Sequence, residues 1–130
     1  MIVVDASAIV EVLVGRDVHD DLLDAVSGDV AAPHLIDTEV LSVLRGLVLG
    51  HKLSAAEAQS TLVDFFDLQI VRYKTAPLAN RIWSLRHRFT SYDATYLALA
   101  EALDAPVHTC DAKLDSEGHR ADIRLHSPSR

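Results

Sequence analysis

Short apolar runs alternate with helix-forming stretches along this 130-residue chain, and that alternation narrows the possible folds more than any other feature. Ile2-Val3-Val4, Val30-Ala31-Ala32, Gln69 to Tyr73, Pro106 to Cys110 and Ile123 to Leu125 read as strands. Helical signals fill the gaps. Ser7 is placed to cap a helix through Ala8 to Val14 that Gly15 ends, and a second helix runs from Asp20 through Val26 to Gly28. Leu35 to Leu49 carries apolar residues on nearly every face, which predicts a central helix packed on several sides and closed by Gly50. Ser54-Ala55-Ala56-Glu57 is a capping box opening a helix to about Asp67. Further helices are predicted from about Ala76 to His87 and from Ser91 to Leu103, with a short one starting near Asp111. Five strands separated by helices predict an α/β fold: a central, mostly parallel five-stranded sheet covered on both faces, in three layers.

The length suits one domain spanning residues 1–130, and a hydrophobic content of 49% can supply a full core. The start Met1-Ile2-Val3-Val4-Asp5 has no basic stretch or long apolar run of a secretory signal, and no segment approaches the ~20 apolar residues of a membrane span. The lone Cys110 forms no internal disulfide, so a reducing, cytoplasmic location without membrane attachment is expected. The tail Ser127-Pro128-Ser129-Arg130 is expected to be mobile.

A net charge of −7 argues against a protein that grips nucleic acid through a general basic surface. The charge is uneven. Residues 1–71 hold three Lys/Arg against twelve Asp/Glu, whereas residues 72–130 hold nine against seven. Arg72, Lys74, Arg81, Arg86 and Arg88, with His87, either flank an acidic pocket and hold phosphates or form a solvated face, and the solvated face is the preferred reading.

Four acids stand where such a fold would gather them. In open parallel sheets, sites form at the carboxyl ends of strands beside a switch in topology, and Asp5 and Asp111 fall at such ends. Asp93 opens a helix and Glu39 interrupts one. Helix capping alone would account for Asp5 and Asp111, and complementing a helix dipole would account for Asp93. Glu39 resists that explanation. Its neighbours at helical spacing are Leu35, Ile36, Ser42 and Val43, and no Lys or Arg lies within a turn. Clustered like charges are costly unless a cation sits among them, so a divalent-metal site is the economical reading. Asp37 sits in the first turn, where an acid is favoured anyway.

The residues also carry a family resemblance. The opening Val3-Val4-Asp5-Ala6-Ser7, the Glu39 helix after Pro33, the segment Ser91-Tyr92-Asp93-Ala94-Thr95-Tyr96-Leu97-Ala98-Leu99-Ala100 and the segment Thr109-Cys110-Asp111-Ala112-Lys113-Leu114 resemble, in order and spacing, PIN-domain ribonucleases of the VapC toxin group. The resemblance implies a PIN-like fold, with Asp5, Glu39, Asp93 and Asp111 as a catalytic, metal-holding quartet for Mg2+, for which Mn2+ can substitute. It implies supporting hydroxyls at Ser7 and Thr109. Asp115 has no firm counterpart; one helical turn past Asp111, it either joins the site through water or faces solvent, and solvent is preferred. A small VapB-type antitoxin that presents an arginine to the acids and an RNA substrate are the implied partners, and the excess of apolar helix surface also fits a homodimer, although ordinary core burial explains most of it.

The chemistry matches the residue types. A phosphodiester is anionic, so its hydrolysis needs a cation to neutralise phosphoryl oxygens and to acidify the attacking water. Mg2+ takes few carboxylates and keeps several waters, which suits direct ligation by Asp5 and Asp93, then Asp111, with Glu39 acting through water or orienting the nucleophile. The expected activity is endonucleolytic RNA hydrolysis leaving a 5′-phosphate.

Competing chemistries have weaker support. His108 and Cys110 share a strand face without the placement for proton transfer, and a core cysteine is the commoner case. No HExxH or CxxC pattern and no phosphate-cradling glycine loop occur. Trp83 and Phe89 are read as core aromatics rather than base-stacking ones. A phosphoacceptor receiver domain would need an acid ending its third strand, and Gln69 to Lys74 has none. The remaining alternative is a catalytically silent PIN-like module that binds RNA or protein; it would be marked by loss of a quartet member, and all are present.

Overall fold

The computed structural model describes residues 1–129. Its five strands are β1 (Ile2–Val4), β2 (Val30–Pro33), β3 (Ile70–Tyr73), β4 (Val107–Thr109) and β5 (Ile123–Leu125). They form one sheet in the order β3-β2-β1-β4-β5, and every pairing is parallel. Val3 of the central strand aligns with Ala31 on one side and Val107 on the other. Because side chains alternate across a strand, neighbouring residues feed different cores. Val3, Ala31 and Val107 face one layer of helices, while Val4, Val30 and Ala32 face the other.

Six helices cover the two faces: α1 (Ala6–Val14), α2 (Asp20–Val26), α3 (Leu35–Leu49), α4 (Ala55–Asp67), α5 (Ala79–Ser84) and α6 (Ser91–Leu103). The α1, α3 and α4 helices share the core that contains Ile9, Ile36, Val40 and Phe65, whereas α5 and α6 share the one that contains Ile82, Leu97 and Leu99. Each such fully buried Leu, Ile or Phe stabilises the fold by roughly 1.5–3 kcal/mol relative to its exposed state. No helix among the described residues is long and apolar enough to cross a membrane.

Local chemistry sets the helix ends. The Ser54–Glu57 capping box forms reciprocally, with both hydrogen bonds at 3.1 Å. At α1, however, Asp5 rather than Ser7 is the cap: its backbone is extended and its carboxylate accepts the Ala8 N–H at 3.0 Å, so the helix starts at Ala6. The stretch predicted as one helix from Ala76 to His87 instead divides into a 3-10 turn over Ala76–Leu78 and the short α5. Tight bonds from Leu85 N–H to Ile82, from Arg86 N–H to Trp83 and from Arg88 N–H to Leu85 then curl the chain, which lets Leu85 and Phe89 both enter the core. The same curl turns Trp83 outward, against the core role predicted for it; it is 67% exposed, with the Arg86 guanidinium 4.7 Å from its ring.

The segment expected to be mobile after β5 is tied down. Ser129 donates its backbone N–H and its hydroxyl to the buried carboxylate of Glu11 on α1, at 2.8 and 3.1 Å. A buried carboxylate demands donors, and Ser129 supplies two. Arg130 lies outside the described residues.

Candidate active site

From β1 the sheet grows one way through β2 and β3 and the other way through β4 and β5, so its winding reverses between β1 and β4. That reversal opens a cleft at the carboxyl ends of the two strands. A cavity of about 450 Å³ lies there, and its lining includes Asp5, Glu39, Asp93 and Asp111 together with Ser7 and Tyr96. The acids come from the end of β1, the middle of α3, the first turn of α6 and the residues just past β4. No Lys, Arg or His lines the cavity among the described residues.

Asp5 is the deepest of the four. One oxygen accepts the Ser7 hydroxyl at 2.7 Å and the Ala8 N–H at 3.0 Å, and the other accepts the Thr109 hydroxyl. Burial nevertheless holds its pKa above the ordinary carboxylate value, against these donors, and the Asp111 charge adds to the rise. Thr109, fully buried, also accepts the Asp111 N–H at 2.9 Å, and Ser7 accepts the Cys110 N–H at 2.9 Å. The two hydroxyls thus bind the end of β1 to the turn after β4.

Glu39 and Asp93 approach from opposite helical layers. Burial is the main cause of a raised pKa for Glu39; the charges of Asp5 and Asp93 add to it, and a 2.6 Å hydrogen bond from the Tyr96 hydroxyl opposes it. Asp93 is raised first by burial and then by Asp111, with Lys113 and Thr90 opposing. Asp111 caps the 3-10 turn at Ala112–Leu114 by accepting the Lys113 N–H at 3.0 Å. Capping and lining the cavity therefore coexist at both Asp5 and Asp111.

The donor set is all oxygen, mostly carboxylate and half-screened from water, with no basic side chain among the described residues in the cavity lining. Such a set fits a hard divalent cation. Among the described residues no three His, Cys, Asp or Glu side chains stand close enough to clasp an ion unaided.

Other candidates fall elsewhere. Asp115 ends the 3-10 turn, is exposed and does not line the cavity. None of Arg72, Lys74, Arg81, Arg86, His87 or Arg88 lines it either. Arg72 grips Asp37 through Nη2 at 2.8 Å and Arg81 grips Glu101 through Nε at 2.7 Å, so part of the basic half serves structural ion pairs. Burial, with the charges of Asp5 and Glu11, pushes the Cys110 thiol up to about 11, and His108 pairs with His126 at 2.8 Å; neither is arranged as a nucleophile and its base.

Tyr96 and Tyr92 were not among the residues singled out from the sequence. Tyr96 follows Asp93 at helical spacing of three, which places both on one face of α6 and was the available signal. Of the apolar neighbours predicted around Glu39, Leu35 and Val43 line the cavity while Ile36 lies fully buried beneath it.

The sequence matches the PIN domain family over residues 2–117. It is 40% identical over 118 residues to Ribonuclease VapC9 of Mycobacterium tuberculosis, covering 91% of each chain. In three dimensions it resembles PAE2754 from Pyrobaculum aerophilum, with a TM-score of 0.70 at 22% identity over 93% of this chain and 81% of that one. It also resembles VapBC-5 of Mycobacterium tuberculosis, a member of the VapBC family of toxin-antitoxin systems, with a TM-score of 0.57 at 22% identity over 97% of both chains.

Proposed function

This chain belongs to the PIN-domain family and within it to the VapC ribonucleases, and from that premise we propose that it is a metal-dependent endoribonuclease, the toxin of a type II toxin-antitoxin pair. The observation that carries the proposal is the meeting of four acids from separate elements on one cavity without a basic side chain in the lining. Residues 1–130 act as one domain, with Asp5, Glu39, Asp93 and Asp111 as its catalytic set.

When bound, a divalent cation, Mg2+ or Mn2+, neutralises phosphoryl oxygens and acidifies the attacking water. Asp5 and Asp93 would hold it directly and Asp111 would complete the set. Ser7 and Thr109 hold Asp5 in one orientation by hydrogen bonds, so its geometry is fixed before substrate arrives. Glu39, on the facing helix, would orient a water for in-line attack on phosphorus; the bond from phosphorus to the 3′ oxygen breaks, leaving a 5′-phosphate and a 3′-hydroxyl.

The partner follows from the same chemistry. An acidic cleft without its own cation attracts a guanidinium, so a VapB-type antitoxin that inserts an arginine would neutralise it and block RNA. Exposed apolar side chains including Leu41, Leu49, Val63 and Phe66 give α3 and α4 surface suited to that antitoxin or to a second copy of the chain.

The test is cleavage of RNA with Mg2+ by the wild type and by Asp5→Asn and Asp93→Asn. Both variants should fold and lose at least ~100-fold in rate. Retained cleavage in either would refute the assignment, and RNA binding without cleavage by the wild type would favour a silent binding module.

A further inference from the structure

We infer that Tyr96 is a positioning residue that holds the Glu39 carboxylate inside the acidic cleft by a hydrogen bond from its phenol. The inference rests on the metal-dependent reading of the site and adds a residue to it.

The geometry is asymmetric in a way that points to this role. The Tyr96 side chain is only 2% exposed and its ring belongs to the core beneath α6, packed with residues such as Leu97 and Leu99, so the ring has no freedom to follow its partner. Its hydroxyl donates to Glu39 Oε1 at 2.6 Å, and both residues line the cleft.

Glu39, by contrast, has a long flexible side chain and two acids nearby, Asp5 and Asp93, whose charges act on it. Repulsion drives it toward solvent, and no basic side chain lines the cleft to hold it. Among the described residues, the Tyr96 phenol is the one hydrogen-bond donor to the Glu39 carboxylate. Tyr96 stands one turn from Asp93 on α6, so this helix presents one acid directly and fixes a second across the cleft. With the phenol gone, the acids would separate and a cation that needs them together would bind less tightly. Loss of a partner that orients a metal-site ligand costs metal affinity roughly 10- to 100-fold.

The test is Mn2+ binding by calorimetry, without RNA, for the wild type, Tyr96→Phe, Glu39→Gln and the double variant. Tyr96→Phe should fold, weaken Mn2+ binding at least ~10-fold, and add no further loss when Glu39 is already Gln. Tyr96→Phe that binds as the wild type does, or a double variant whose loss is the product of the single losses, would overturn the inference. So would a Tyr96→Phe chain that does not fold, since Tyr96 would then be a core residue alone. If the wild type itself takes up no Mn2+, the metal-dependent reading fails separately. A crystal structure of metal-free Tyr96→Phe then decides the positioning role: Glu39 turned out of the cleft supports it, and Glu39 unmoved rejects it.

Discussion

Thr109 gives its hydroxyl proton to Asp5 while its oxygen receives the Asp111 N–H, so one fully buried side chain connects the acids that end neighbouring strands. Replacing it by Val keeps the shape and removes both bonds. The Asp111 N–H and an Asp5 oxygen would then lose partners in a water-poor place. Thr109→Val should lower unfolding free energy by about 1–3 kcal/mol in urea, and Thr109→Ser should recover most of that loss.

Protonation of the cleft gives stability a pH dependence of definite sign. Asp5, Glu39 and Asp93 all have folded pKa values above their ordinary ones, chiefly through burial. The folded protein therefore binds more protons than the unfolded chain in the window that opens at 3.8–4.5 and extends up to the raised values. Stability of the metal-free protein from these groups falls as pH rises through that window. Glu101, held low by its hydrogen bond to Arg81, acts oppositely and loses its contribution as pH falls. Comparing wild type with Asp93→Asn in EDTA isolates the cleft: the wild type should lose stability relative to the variant as pH rises from the ordinary Asp value of 3.8 through the raised one. A pH-independent difference would show that Asp93 is not strained by its surroundings.

Asp37, read from the sequence as an ordinary first-turn acid, ties α3 to β3. Arg72 approaches it through Nε at 2.9 and 3.1 Å and through Nη2 at 2.8 Å, and the guanidinium also lies 5.6 Å from the Phe65 ring centre. Both side chains are partly screened, which raises the pair above the usual surface value. Asp37→Asn should cost about 1 kcal/mol in chemical denaturation. RNA cleavage should be unchanged, because neither residue lines the cleft.

Gly118 takes φ +110, and a methyl group there would come 2.5 Å from Arg88 Cδ. The Arg88 side chain can swing aside, whereas the backbone angle cannot relax so simply. Gly118→Ala should therefore destabilise by about 1–3 kcal/mol, seen as a lower melting temperature.

Much of the architecture could be read before any coordinates. The apolar runs at β1 and β2 stand out because parallel strands buried between helix layers use nearly continuous hydrophobic residues, and helix ends such as Ser54–Glu57 and Gly50 carry their own chemistry. Other features depend on contacts between distant segments. Ser7 has the composition of a cap, yet its hydroxyl turns to Asp5 and to Cys110, a partner more than a hundred residues away. The placement of Glu39 in an apolar environment was legible from helical spacing, but its phenol partner was not, because nothing local in α3 indicates that α6 will cross it. The ion pairs of Arg72 and Arg81 and the docking of Ser129 on Glu11 are equally nonlocal.

The order in which the chain is made adds a consequence of the Asp5–Thr109 bond, whose partners are 104 positions apart. On a translating ribosome, β1 leaves the exit tunnel early and must wait for β4 to flank it. A nascent chain that stops before Asp93 has two of the acids and no α6; one that stops before Thr109 still leaves one Asp5 oxygen without the Thr109 hydroxyl. Assembly of the cleft therefore waits for β4 and Asp111, and a polypeptide that stops before them holds an incomplete set of acids.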